Sequence, residues 1–157
     1  MVDIYQQNYG AAREKYQKAM DIWQKMGNRG GEAATWHGLA TIDVEQEDYA
    51  AAREKFQKAM NILEEIGDRY GQGATWYQLG ILAEKLGRLA EGARLVALCF
   101  LIDQSIGHGD VEKDLRNLAG MAVKLGYTPE QLQALLREVA QAYQKDRGQG
   151  LLAAAFG

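Results

Sequence analysis

The chain carries few side chains of the types that perform chemistry, and the sequence scatters them. His37 and His108 are its two histidines, and neither has a second metal ligand at helical spacing beside it. Cys99 is the single cysteine, which excludes an internal disulfide. No serine–histidine or cysteine–histidine pattern is evident, and no pair of carboxylates is expected in an apolar setting that would raise a pKa. The residue types therefore predict no catalytic centre, no cofactor and no metal site.

Two glycine clusters could instead suggest a phosphate-binding loop, GQG at 71–73 and GHG at 107–109. Neither follows a predicted strand, and neither has the spacing to a lysine and a serine or threonine that such a loop requires. Both lie where one predicted helix gives way to the next. Helix termination therefore explains them better than anion binding.

Charge and hydropathy exclude two classes of partner. The formal net charge is −3, without a run of lysines and arginines that would attract a nucleic-acid backbone. The longest strictly apolar run covers residues 95–102, whereas a membrane span needs about 20 residues. The N-terminus has no basic segment followed by an apolar core. These features predict a cytoplasmic protein that binds neither nucleic acid nor membrane.

The elements that position these residues repeat along the chain. Residues 9–48 align with residues 49–88 at 18 of 40 positions, and AAREKYQKAM recurs as AAREKFQKAM. A period of this length is typical of stacked helical units. Apolar residues at Ala52, Phe56, Ala59, Leu63 and Ile66 follow the spacing of one helix face. The unit therefore predicts two helices.

Applied along the chain, this pattern predicts seven helices and no strand. Their expected ranges are 9–26, 31–46, 49–66, 71–86, 89–106, 110–125 and 129–146. Thr128, Pro129 and Gln131 form a capping-box start for the last helix. Residues 2–7 fall where a helix of a preceding repeat would end, so we expect either a fragment of a longer array or a short first helix. The predicted division is one domain at 1–147 and an apolar tail at 148–157.

The repeat resembles the tetratricopeptide repeat over residues 9–126. The match to the family's first-helix series is carried by Trp76, Leu79, Gly80 and Ala83, and to its second-helix series by Ala52, Phe56 and Ala59. The neighbouring units match at Trp36, Leu39, Ala40, Ala12, Tyr16, Ala19, Gly92, Val96, Cys99, Leu118, Ala119 and Ala122. The period of 40 is longer than the family's usual 34, as in a branch common among bacterial signalling and scaffold proteins. The resemblance implies an all-α right-handed superhelix of stacked antiparallel helix pairs, with about three repeats and a C-terminal capping helix.

The resemblance also implies a concave groove lined by the first helix of each pair. Carried over by register, the groove positions are His37, Thr41, Glu45, Tyr77, Ile81, Glu84, Lys85, Arg116, Gly120 and Lys124. They differ between repeats while the packing positions stay alike, which is typical of a fixed frame with a specialised surface. The alternative is that they form an untuned, solvated face. Cys99 aligns with Ala19 and Ala59, so it is expected to be a buried packing residue.

One helix face changes character in the third repeat. Where the first two repeats place lysine and other polar residues, the third places Leu95, Leu98 and Leu101. Exposed leucines in a stripe are unfavourable, so a cover is expected. The preferred cover is the last helix with the tail, and the alternative is a second copy of the chain or another protein.

The sequence thus predicts a non-enzymatic scaffold that holds a peptide or partner protein in its groove. The competing interpretation is a structural, self-associating segment without a specific groove ligand. The oligomeric state stays open between a monomer and a homodimer.

Overall fold

The computed structural model describes residues 4–108 and 110–157, and every element in them is helical. The chain forms two compact units, residues 1–68 and 69–157. In the first unit the helices are α1 Ile4–Met26, α2 Arg29–Glu45 and α3 Tyr49–Ile66. In the second they are α4 Arg69–Lys85, α5 Leu89–Ile106, α6 Val111–Leu125, α7 Pro129–Asp146 and α8 Gln149–Phe156. The expected all-α class is confirmed. The division into one domain and a tail stays a prediction.

The predicted helix ends hold within a few residues, with two differences. The helix expected from Tyr9 begins at Ile4, so residues 4–7 belong to α1 itself; residues 2 and 3 lie outside the described residues. The C-terminal tail forms α8. The Thr128 and Gln131 capping box at the start of α7 is confirmed by both of its hydrogen bonds.

In the first unit, consecutive helices pack on each other, α1 on α2 and α2 on α3. Phe56 and Met60 of α3 are fully buried there, and Leu39 and Ala40 of α2 are also in the core. Gly67 ends α3 with φ of 71°, a left-handed conformation that glycine adopts without steric penalty. Of the five apolar residues that the spacing assigns to one face, Ala52, Phe56, Ala59 and Leu63 are buried, whereas Ile66 at the end of α3 is 44% exposed.

In the second unit, α5 lies at the centre, because α4, α6, α7 and α8 all pack against it. Its long apolar run is buried almost throughout. The crossing of α4 and α5 depends on small residues: a Cβ on Gly92 would lie 2.6 Å from the Gly80 carbonyl oxygen. Any side chain at that crossing would push the two backbones apart.

The large packing residues are not buried to the same degree. Trp76 and Phe56 are 1% and 0% exposed, whereas Trp36 and Tyr16 are only partly buried. Trp36 packs against Ala33, Ile62 and Leu63. The four aromatics at the positions that carry the family resemblance therefore differ in burial, and two of them retain surface in contact with water.

Candidate functional site

The predicted groove positions of the first unit lie around one depression of about 560 Å³. His37, Thr41 and Glu45 follow one another at four-residue spacing on α2, so one face of that helix presents all three. Tyr9 and Tyr16 of α1 form part of the opposite wall. The depression thus combines aromatic rings with one carboxylate.

His37 is the partly buried member of this set. Its ring lies edge-on to Phe56, with centroids 5.1 Å apart and planes at 73°. Its Nε2 is buried and, among the described residues, accepts or donates no hydrogen bond. Burial lowers the pKa of His37 below its ordinary value. At neutral pH it is therefore an uncharged aromatic wall residue.

The predicted groove positions of the second unit lie around a depression of about 240 Å³. The α4 residues Tyr77, Ile81 and Glu84 form one side, and the α6 residues Arg116, Gly120 and Lys124 form the other. Lys85, also predicted to face the groove, is exposed and does not line this depression. The register taken from the resemblance therefore brings together six of the seven predicted positions in this unit.

Polar contacts cross this second depression at both ends. Asn117 Nδ2 donates a hydrogen bond to the Tyr77 hydroxyl at 3.2 Å, and Lys124 Nζ lies 3.1 Å from Glu84 Oε1. No described carboxylate lies within ion-pair distance of the exposed Arg116. The depression consequently presents the Arg116 guanidinium group, without a described ion-pair partner, beside the Tyr77 ring and the Ile81 side chain.

The stripe of leucines on α5 is mostly covered within the second unit. Leu95 and Leu98 are fully buried, and Leu101 is partly buried. Gly148, which precedes α8, approaches so closely that a Cβ there would lie 2.9 Å from Leu98 Cδ2. Arg88 donates hydrogen bonds to the carbonyl oxygens of Ala154 and Gly157. These contacts hold the C-terminal segment against α5.

A group of acidic and thiol side chains is present that the sequence analysis missed. Cys99 and Asp103 of α5 and Asp114 of α6 are all buried, and their potential ligand atoms lie within 4.8 Å of one another. The expectation that no carboxylates would share an apolar setting is wrong. Helix packing brings Asp114 onto α5, and the only local signal was the four-residue spacing of Cys99 and Asp103.

This buried group changes the acidity of its members. Burial, and after it the neighbouring Asp103 carboxyl group, raise the pKa of Asp114 to about 7. Burial also raises the pKa of the Cys99 thiol well above its usual range, and the neighbouring carboxylates add to that effect. As expected, Cys99 is therefore a buried thiol without thiolate reactivity.

Tyr77 connects this group with the second depression. Burial raises the pKa of its hydroxyl, and the nearby acidic groups, including Asp114 and Glu84, add to the same shift. Tyr77 also lines the depression. The group formed by Cys99, Asp103 and Asp114 thus lies near Tyr77 and does not itself line the depression.

The helix pairs recur at a fixed period. Small residues lie at the helix crossings, and the positions that vary between repeats lie around the depressions. These features define a helical-repeat protein. Within the described residues, no helix has the length and apolar character needed to cross a bilayer. The sequence profile of the tetratricopeptide repeat matches residues 1–65 and 31–100. The chain belongs to the tetratricopeptide-repeat family, whose members are typically non-enzymatic and mediate protein–protein interaction. A search among curated proteins found no match.

Proposed function

We propose that the chain is a protein-interaction module in which the groove positions of each unit bind a peptide segment of a partner. The observation that carries this proposal is the depression of the second unit, where Tyr77, Ile81 and Arg116 meet. Tyrosine and arginine are among the residues that contribute most to binding energy at protein interfaces, and an aliphatic side chain adds apolar surface beside them.

The chemistry of this depression favours an acidic peptide with an apolar side chain. Arg116 is exposed and has no described carboxylate partner, so it is available for a bidentate contact with a ligand carboxylate. Lys124 is already paired with Glu84, which reduces its pull on an anion. Ile81 and the ring of Tyr77 supply the apolar surface that a ligand side chain would cover.

The test uses a phage-displayed library of random linear peptides selected on the immobilised full chain. Enriched peptides are synthesised with a fluorescent label and titrated by anisotropy. We expect acidic sequences with an apolar residue, and a loss of affinity of at least tenfold in Tyr77→Ala and in Arg116→Glu. A tenfold loss corresponds to about 1.4 kcal/mol.

Arg137→Glu is the matched control, because Arg137 is exposed on α7 and lines neither depression. It makes the same change in net charge, so unchanged affinity there separates a local contact from a general electrostatic effect. Enriched peptides that bind Arg116→Glu as well as the original chain would contradict the proposal.

A second candidate is the self-associating segment, and an exposed apolar face on α6 favours it. Val123 is 76% exposed and Leu115 is 40% exposed, two turns apart on the same helix. Light scattering over a concentration series distinguishes the candidates. Concentration-dependent mass that Val123→Lys abolishes supports self-association, whereas a constant monomer mass opposes it.

A further inference from the structure

Two carboxyl groups and a thiol meet inside the second unit without a compensating cation among the described residues. Asp103 is 4% exposed, Asp114 6% and Cys99 2%. Cys99 Sγ lies 3.8 Å from Asp103 Oδ2. Asp103 Oδ1 and Asp114 Oδ2 are buried and have no hydrogen-bond partner in the described part of the chain. Unsatisfied buried oxygens are costly, so a group that binds them would stabilise the fold.

Packing alone does not explain these three residues, because the preceding repeat fills the same places with uncharged side chains. Asp114 aligns with Thr75, since the buried Leu118 and Met121 then align with the buried Leu79 and Leu82. The three equivalents of Cys99, Asp103 and Asp114 are Ala59, Leu63 and Thr75. The third repeat thus differs at three positions that the fold brings together.

A fourth difference accommodates the carboxylate. In the first unit Ala33 packs beside Leu63. The corresponding pair in the second unit is Gly73 and Asp103, and a Cβ on Gly73 would lie only 2.7 Å from Asp103 Oδ1. The glycine leaves the space that the Asp103 carboxylate occupies.

We propose that Cys99, Asp103 and Asp114 bind a divalent transition-metal ion of the zinc class through one sulfur and two carboxylate oxygens. A thiolate disfavours magnesium and calcium, which take oxygen ligands, and suits zinc or cobalt. Two carboxylates and a thiolate also supply the negative charge that a divalent cation requires from its ligands. Three protein ligands leave a fourth tetrahedral position for water.

The distances permit this coordination with small side-chain movements. Ligand atoms at about 2.0–2.3 Å from zinc are roughly 3.5 Å from one another in a tetrahedron. The three potential ligand atoms already lie within 4.8 Å of one another. When the metal binds, the Cys99 thiol proton and any proton carried by Asp114 pass to solvent, and no oxidant or reductant is involved.

Cobalt(II) is the probe, because it takes the place of zinc and reports its ligands by absorption. The full chain is treated with a chelator, exchanged into metal-free buffer and titrated with cobalt(II) chloride. We expect one equivalent to bind, with a thiolate-to-cobalt charge-transfer band in the near ultraviolet and the intense visible bands of tetrahedral cobalt. Added zinc should remove both sets of bands. Absence of the charge-transfer band would overturn the proposal.

Cys99→Ala is the decisive variant, because the chain itself has alanine at the equivalent positions 19 and 59 and the variant should fold. It should lose the charge-transfer band. Asp114→Asn should weaken cobalt binding at least tenfold while circular dichroism shows the helices intact. Glu112→Gln makes the same charge change on the exposed face of α6 and should bind as the original chain does. Equal cobalt affinity in Asp114→Asn and Glu112→Gln would sink the proposal.

This proposal does not depend on the peptide-binding proposal. A variant such as Arg116→Glu should lose peptide affinity and keep its cobalt bands. Failure of either proposal therefore leaves the other to be judged by its own experiment.

Discussion

Lys55 Nζ lies 2.5 Å from Asp43 Oδ2, and this ion pair joins α3 to α2. Arg13 of α1 approaches the other oxygen of the same carboxylate at 2.6 Å. Asp43 is 2% exposed, so one buried carboxylate links all three helices of the first unit. Both cations keep part of their side chains in water, which limits the desolvation cost.

Replacing Asp43 with asparagine should destabilise the first unit. The change removes two charge-assisted contacts and leaves two cations facing each other. We expect a loss of about 2 kcal/mol in the free energy of unfolding, measured from urea transitions. Glu54→Gln is the control: Glu54 is 73% exposed and 4.0 Å from Lys58, so its change should stay below about 0.5 kcal/mol. Equal urea midpoints for the two variants would contradict this role for Asp43.

Truncating Trp76 should cost more than truncating Trp36, although the repeat alignment makes them equivalent. Trp76 is 1% exposed, and Trp76→Ala should lower the free energy of unfolding by about 3–5 kcal/mol through lost burial and a cavity. Trp36 is partly buried, so Trp36→Ala should lose less. Thermal and urea unfolding of both variants measure the difference. A larger loss for Trp36→Ala would show that exposure does not govern these two sites.

Deleting residues 148–157 should destabilise the second unit and promote association. The deletion removes the contacts of Gly148 with Trp76 and Leu98 and uncovers apolar surface. We expect a lower melting temperature and a mass that grows with concentration in light scattering. Arg88→Ala removes only hydrogen bonds to the carbonyl oxygens of Ala154 and Gly157 and should have a smaller effect. A truncated chain that stays monomeric with its original melting temperature would show that this segment is not the cover.

Lowering the pH should destabilise the first unit through His37. Because burial lowers its pKa in the folded chain, the unfolded chain binds a proton first as pH falls below about 6.5. The contribution of neutral His37 is therefore present above that pH and is lost as pH falls toward the folded pKa. Between pH about 7.5 and 5.5, His37→Gln should show a smaller fall in urea midpoint than the original chain.

Its control is His108→Gln. His108 belongs to the second unit, so its removal should leave the fall in midpoint that His37 causes in the first unit in place. Identical pH profiles for His37→Gln and the original chain would mean that His37 is not the titrating group.

The depressions could be anticipated from the sequence because they follow from helical register. Trp36 and Trp76 occupy equivalent positions in the two repeats, and residues three or four positions apart lie on one helix face. The predicted groove positions of α2 and of α4 therefore share a face of each helix. Lys85 shows the limit of that reasoning. It is the last residue of α4 and is exposed, and register alone does not tell how far the wall of a depression extends.

The acidic group could not be anticipated, because its members meet only through packing. Asp103 and Asp114 lie on different helices, and the packing of α6 on α5 brings them together. The sequence presents Asp114 as one more acidic residue in the first turn of a helix, where aspartate is ordinarily favoured. Only its burial beside Cys99 distinguishes it from a capping residue.

The spacing of residues along the sequence by itself determined that this chain is helical, where its helices begin and end, and which family it belongs to. Those properties depend on residues a few positions apart, whose preferences act before any distant contact forms. The tertiary structure alone decided which ionisable groups meet, namely the buried Asp43 with the partly exposed Arg13 and Lys55, and the buried Asp103 with Asp114. Burial is a property of surfaces brought together by packing, and side-chain identity does not specify it.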